Sequence, residues 1–357
     1  MSILGNIANL FRSADVDVVL GATLLISLPL AVVVGMYRPR AIAGPPRLAG
    51  DRSAFSLAVA LFIGFLVMIV VGIGYNMMRH PSAIGKPPAT LDIVDQAFLF
   101  SVPGIACAAA LILADHFFGG RGFLTGLGLN LGKFPGGIAW GVLGALILVP
   151  PTYAVSILVE FIYQHVSFSH PTEHELLTLL HTHSPHPMAR VVLVLAATLI
   201  APFYEELLFR GHLQTLLKRM IIVFTTPAPP RTALIPGYGF PVLQPGIAAN
   251  FAPAGAPVDP PLANVPPDAM AANPPPIAAP TPPVPAPRRV WQSWLAVLIT
   301  SCLFAAMHEP WMWPPIFFLS LGLGYWYERT GNLWTNVTIH CLFNSISTFA
   351  FLISTHP

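Results

Sequence analysis

The chain has 357 residues, of which 55% are hydrophobic and only 9% charged, against about 25% charged residues in soluble domains. That balance excludes a water-soluble globular protein and identifies an integral membrane protein. The net charge of +2, with basic residues scattered over short loops, gives no nucleic-acid-binding patch. Cys107, Cys302 and Cys341 all lie in apolar segments, which argues against a secreted disulfide framework.

In chain order, Ile3, Leu4, Ile7, Leu10 and Phe11 recur at helical spacing and predict a short helix lying on the membrane. Eight apolar segments follow, at 18–36, 54–74, 96–118, 137–163, 189–219, 291–308, 314–327 and 334–354. Each is long enough to cross, or nearly cross, about 30 Å of hydrocarbon. None shows period-2 alternation, and only helices or closed barrels satisfy their own backbone in lipid. The fold class is therefore all-α, a polytopic bundle of about eight transmembrane helices. The 189–219 run is too long for one straight span, so Pro202 is expected to kink it.

Three regions are expected. Residues 1–188 form an N-terminal transmembrane region of about four spans that ends in a His-rich loop, 164–188, with His165, His170, His174, His181, His183 and His186. Thr172 and Glu175 there read as the capping box of a short helix. Residues 189–224 and 290–354 form a second membrane unit. Between its halves, 225–289 is rich in Pro and Ala and nearly uncharged. Proline at that density removes backbone donors, so a disordered insertion is expected. Placing the 37–53, 119–136, 220–290 and 328–333 connections in the cytoplasm puts most Lys and Arg there.

The stretch Y-E-E-L-L-F-R-G, Tyr204 to Gly211, puts two carboxylates and a guanidinium directly after an apolar run. A charged side chain at the centre of a membrane helix costs about 2.5–3.5 kcal/mol. Glu206 and Arg210 are four apart and can pair on one helical face. Glu205 lies about 100° round the helix and needs a partner from another segment. F-A-A-M-H supplies Phe304 and His308, and H-C-L-F-N supplies His340 and Asn344. Carboxylate, imidazole and amide groups are the parts of a hydrolytic site. Cys341 points about 100° away from His340, too far round to share its proton.

The three motifs, E-E-x-x-x-R, F-x-x-x-H and H-x-x-x-N in that order, resemble those of the CPBP intramembrane protease family, which includes the type II CAAX prenyl endopeptidases. Glu205 and His308 stand 103 positions apart, more than is usual in the family. Setting the Pro/Ala insertion aside leaves about 40, the expected order of separation. The resemblance implies that Glu205 activates water, with His308 holding and polarising it. It further implies that His340 and Asn344 form an oxyanion hole, while Arg210 anchors Glu206. No obligatory metal is expected. The alternative is a zinc held by Glu205, His308 and His340, a His₂Glu set. The implied activity is cleavage of a membrane-associated peptide, either a prenylated CAAX tail or a leader peptide, at the cell membrane. The competing readings are a proton-coupled transporter using the same polar groups and a non-catalytic immunity or scaffold protein. One tension remains. His308 follows about 25 Å of helix from the expected cytoplasmic end, whereas His340 lies only a few residues in, so straight upright helices would hold them apart.

Overall fold

Every one of the eight apolar segments folds as a helix, and no strand occurs among the described residues. The computed structural model describes residues 16–36, 54–79, 93–118, 123–168, 187–225 and 290–354. The expected N-terminal surface helix, most of the His-rich loop and the Pro/Ala insertion lie outside the described residues. We label α1 as the rod Val16–Ala22, Thr23–Ser27 and Leu28–Val34, α2 as Ala54–Arg79 and α3 as Ile93–Phe118. A short α4, Phe123–Leu127, precedes α5, Phe134–His165. The long α6 is Pro187–Thr225, followed by α7, Val290–Ala306, α8, Trp313–Thr330, and α9, Leu333–Ser354. Among the described residues, α2, α3, α6 and the 131–165 stretch containing α5 are long and apolar enough to cross a bilayer.

The long α6 does not break at Pro202. It runs as Pro187–Leu195, a π section Ala196–Ile200, Ala201–Glu206, a second π section Leu207–Gln214, and Thr215–Thr225. Proline clashes with the carbonyl four residues back and offers no N–H. Widening the preceding turn to π geometry accommodates one extra residue there. The same device precedes Pro29 in α1, where Thr23–Ser27 is π. The expected kink is thus a local change of helical pitch.

Helix α2 packs on α3, and α3 on α6. Helix α6 lies against α9, while α5 packs on α9 and α8. Close approach of α5 to α9 depends on a stripe of small residues, a common solution between membrane helices, where packing rather than hydrophobicity drives association. A Cβ on Gly141 would lie 2.4 Å from Cβ of Thr338, and one on Gly137 would lie 2.6 Å from Cβ of Trp334. Helix α8 ends at Gly331, whose left-handed φ of 55° suits a residue without a Cβ. That turn starts α9 two residues later and aims its polar face at α6.

Candidate active site

The site is built where α6, α7 and α9 meet. Glu206 is fully buried, with 0% of its side chain exposed, as is Arg210 one turn on. Arg210 Nη1 donates to Glu206 Oε1 at 2.9 Å, and its Nη2 donates to Ser320 Oγ of α8 at 2.7 Å. The guanidinium also sits 4.5 Å over the Phe304 ring of α7. His340 Nδ1 donates to the same Glu206 oxygen at 2.9 Å, and Asn336 Nδ2 donates to Glu206 Oε2 at 3.3 Å. Three donors therefore saturate Glu206, as a buried carboxylate requires.

Its neighbour is in the opposite condition. Glu205 keeps 17% of its side chain exposed, and its Oε2 has no hydrogen-bond partner among the described residues. That oxygen lies 3.8 Å from His340 Nε2. The separate helix that Glu205 needs is thus α9. Beside it, Tyr204 packs on α3, where a Cβ on Gly104 would fall 2.4 Å from its ring.

His308 lies two residues beyond the end of α7 rather than within a helix, yet keeps a helical contact: Nδ1 donates to the Phe304 carbonyl at 2.9 Å. In the neutral ring Nε2 is then the basic nitrogen. The indole of Trp313 donates to the His308 carbonyl at 2.9 Å and ties this connection to α8. The Phe304 ring lies 4.9 Å from the His308 ring and 5.8 Å from that of His340. The two imidazoles that upright helices would separate thus pack against one ring.

Asn344, one turn beyond His340, donates from Nδ2 to the Ala197 carbonyl at 2.8 Å. The reason is local. In π geometry the Ala197 carbonyl looks five residues ahead for its donor, and that residue is Pro202, which has none. Asn344 fills the gap with one amide hydrogen and retains the other.

Comparison with protein families gives one match. Residues 187–241 and 284–346 match the model of the type II CAAX prenyl endopeptidase Rce1-like family, in agreement with the motif resemblance. These two segments are similar to that family. No curated protein and no solved structure matches the chain. The family match takes in α6 through most of α9, and so every motif residue described above, whereas α1 to α5 lie outside it.

Two residues of this site are not among the motif residues. Asn336 holds Glu206 and also donates to the Leu323 carbonyl at 2.6 Å. Its signal was present in the sequence, since Asn336, His340 and Asn344 continue one helical face at four-residue spacing. Ser320 left no such trace, because a lone serine in an apolar helix resembles any packing residue. As for a metal, among the described residues no three His, Cys, Asp or Glu side chains converge as a ligand set. His340 Nδ1 is committed to Glu206, which leaves Nε2 as the ring nitrogen that faces Glu205.

Proposed function

We propose that this protein is an intramembrane endopeptidase that cleaves a membrane-associated peptide through water activated by Glu205. The family match supports a CAAX-type protease set in the membrane. The finer reading takes a prenylated CAAX-type tail as substrate, with a leader peptide as the second choice, and the cell membrane as its location. The observation that carries it is the contrast between two adjacent carboxylates. Glu206 is satisfied by Arg210, His340 and Asn336, whereas Glu205 Oε2 is buried beside an imidazole with no donor to it among the described residues. An unsatisfied buried acceptor is costly, and such cost concentrates where a protein performs chemistry.

In this reading Glu205 removes a proton from water while the basic Nε2 of His308 accepts from and orients the same molecule. The water oxygen bonds to the scissile carbonyl carbon, and negative charge moves to the carbonyl oxygen. His340 Nε2 and the free amide hydrogen of Asn344 stabilise that oxyanion. Because His340 Nδ1 already donates to Glu206, donation from Nε2 requires the imidazolium form. Glu205, Glu206, Arg210 and His340 then sum to zero charge, as a low-dielectric site favours. Collapse of the intermediate breaks the C–N bond, and Glu205 passes its proton to the departing amine.

The test is hydrolysis of an internally quenched peptide ending in a farnesylated CAAX sequence, by purified protein in proteoliposomes. Glu205→Gln, which keeps shape and removes the base, should lower kcat by about 10²–10⁴-fold. A rate equal to wild type would refute the assignment. Solute flux without cleavage in the same vesicles would favour a transporter.

A further inference from the structure

Two turns past Glu205, α6 buries a second acid–imidazole pair that the chemistry above does not use. His212 has 0% of its side chain exposed, and its partner Asp115, on α3, has 4%. His212 Nε2 lies 2.9 Å from Asp115 Oδ2, while Nδ1 donates to the Leu207 carbonyl at 2.8 Å. Leu207 opens the second π section of α6, and His212 is its sixth residue. The imidazole therefore bridges the section from within and bolts it to α3, a helix outside the segments that match the family.

The π section faces other partners too. Arg210 donates to Ser320, and Gln214 Nε2 donates to the Gly324 carbonyl at 3.2 Å, both on α8. Relaxing one π turn to α geometry removes the accommodation of one residue, rotating everything beyond it by about 100° relative to Glu205 and Glu206. Gln214 would then turn away from Gly324, and Arg210, which bridges Glu206 to Ser320, would lose the alignment of α6 on α8 that holds Glu206 against His340. π geometry is rare and needs external restraint. Here α8 holds one side, and the His212–Asp115 pair holds the other.

We propose that His212 and Asp115 are positioning residues that lock the π section behind Glu205, so that α3 sets the geometry of the catalytic pair Glu205–His340. This rests on Glu205 being the base. The pair's chemistry specifies the test. The Leu207 carbonyl can only accept, so Nδ1 carries a hydrogen, and one further proton lies between Nε2 and Oδ2. Asparagine at position 115 can supply that hydrogen bond from its amide to a neutral imidazole. Alanine cannot.

Asp115→Ala, Asp115→Asn and Glu205→Gln are compared in full-length protein in proteoliposomes with the quenched farnesylated peptide, rates being normalised to folded protein. Asp115→Ala is expected to lower kcat by about tenfold to a hundredfold with KM within about twofold. Amides 207–214 should exchange hydrogen faster, and Asp115→Asn should restore kcat to within about threefold. A purely structural role would lower the thermal midpoint of Asp115→Ala without changing kcat per folded molecule. That result would overturn the proposal, as would failure of Asp115→Asn to improve on Asp115→Ala. If Asp115→Ala cannot be recovered folded, His212→Asn replaces it under the same criteria. Wild-type cleavage by Glu205→Gln would defeat the underlying reading. An inactive Glu205→Gln beside a fully active Asp115→Ala would defeat only the positioning pair.

Discussion

His340 donates from Nδ1 to Glu206 across 2.9 Å, and the same ring turns Nε2 towards Glu205 at 3.8 Å. Two carboxylates adjacent in sequence thereby come under opposite constraints. Glu206 is embedded in a network in which each donor has lost its water. Removing it as Glu206→Ala leaves the Arg210 charge buried, which should destabilise by about 3–5 kcal/mol. Glu205→Ala removes a group with no bonded partner on Oε2 and should stay within about 1 kcal/mol of wild type. Thermal unfolding of the two variants in detergent checks the difference, and equal losses would contradict the division of roles.

Asn336 donates to Glu206 Oε2, which accepts from no other described residue, and to the Leu323 carbonyl of α8. Asn336→Ala should cost about 1–3 kcal/mol, chiefly through the buried Glu206 oxygen it leaves without a donor. Asn336→Asp should be worse, since it sets a third carboxylate against Glu206. Denaturation midpoints measured side by side give the ranking.

Asn344 carries two roles that a paired substitution can separate. Pro202→Ala restores an N–H in the turn where the Ala197 carbonyl lacks one, so that carbonyl no longer depends on Asn344. Asn344→Ala alone should cost about 1–3 kcal/mol. In the Pro202→Ala background the stability cost should shrink while cleavage stays impaired, because the proposed oxyanion donor is still missing. A double-mutant cycle on stability, run beside kinetics, reads both effects.

The glycine stripe of α5 sets the position of His340 from outside the site. Gly141→Leu forces its side chain into Thr338, two residues before His340, and should destabilise by about 1–3 kcal/mol. Gly136→Ala on the same helix meets open space and should be neutral or stabilising. Cleavage should fall only in the first variant.

Exhaustive dialysis against EDTA and 1,10-phenanthroline should leave peptide hydrolysis unchanged, since the proposed steps use only side chains and water. Loss of activity that zinc alone restores would require Glu205, His308 and His340 to converge differently from the arrangement described.

Much of this site could be read in the sequence because lipid makes polarity conspicuous. In a segment as apolar as V-V-L-V-L-A-A-T-L-I-A-P-F, the following Glu205 and Glu206 can hardly be decoration, and the four-residue spacing to Arg210 already implied a pair. The helical fold of each apolar segment followed from the same physics. What escaped depends on helix pitch. Neither π section announces itself in composition, so the bond from Asn344 to Ala197 and that from His212 to Leu207 could not be foreseen. The His212–Asp115 contact joins positions 97 apart on helices whose packing no local pattern encodes. His308 was expected inside its helix, but α7 ends at Ala306 before E-P-W-M-W-P-P, where prolines leave the next helix to start afresh.

Arg210 to Ser320, Gln214 to Gly324 and Lys218 to Glu328 each join positions 110 apart. A constant offset means that α6 and α8 run in the same direction, their axial alignment keyed by successive rungs rather than by the chain between them. Whatever lies between Thr225 and Val290 can then lengthen, shorten or drift in composition without shifting Glu206 against its partners. Evolution is free to rewrite that connection while the reaction centre stays in register.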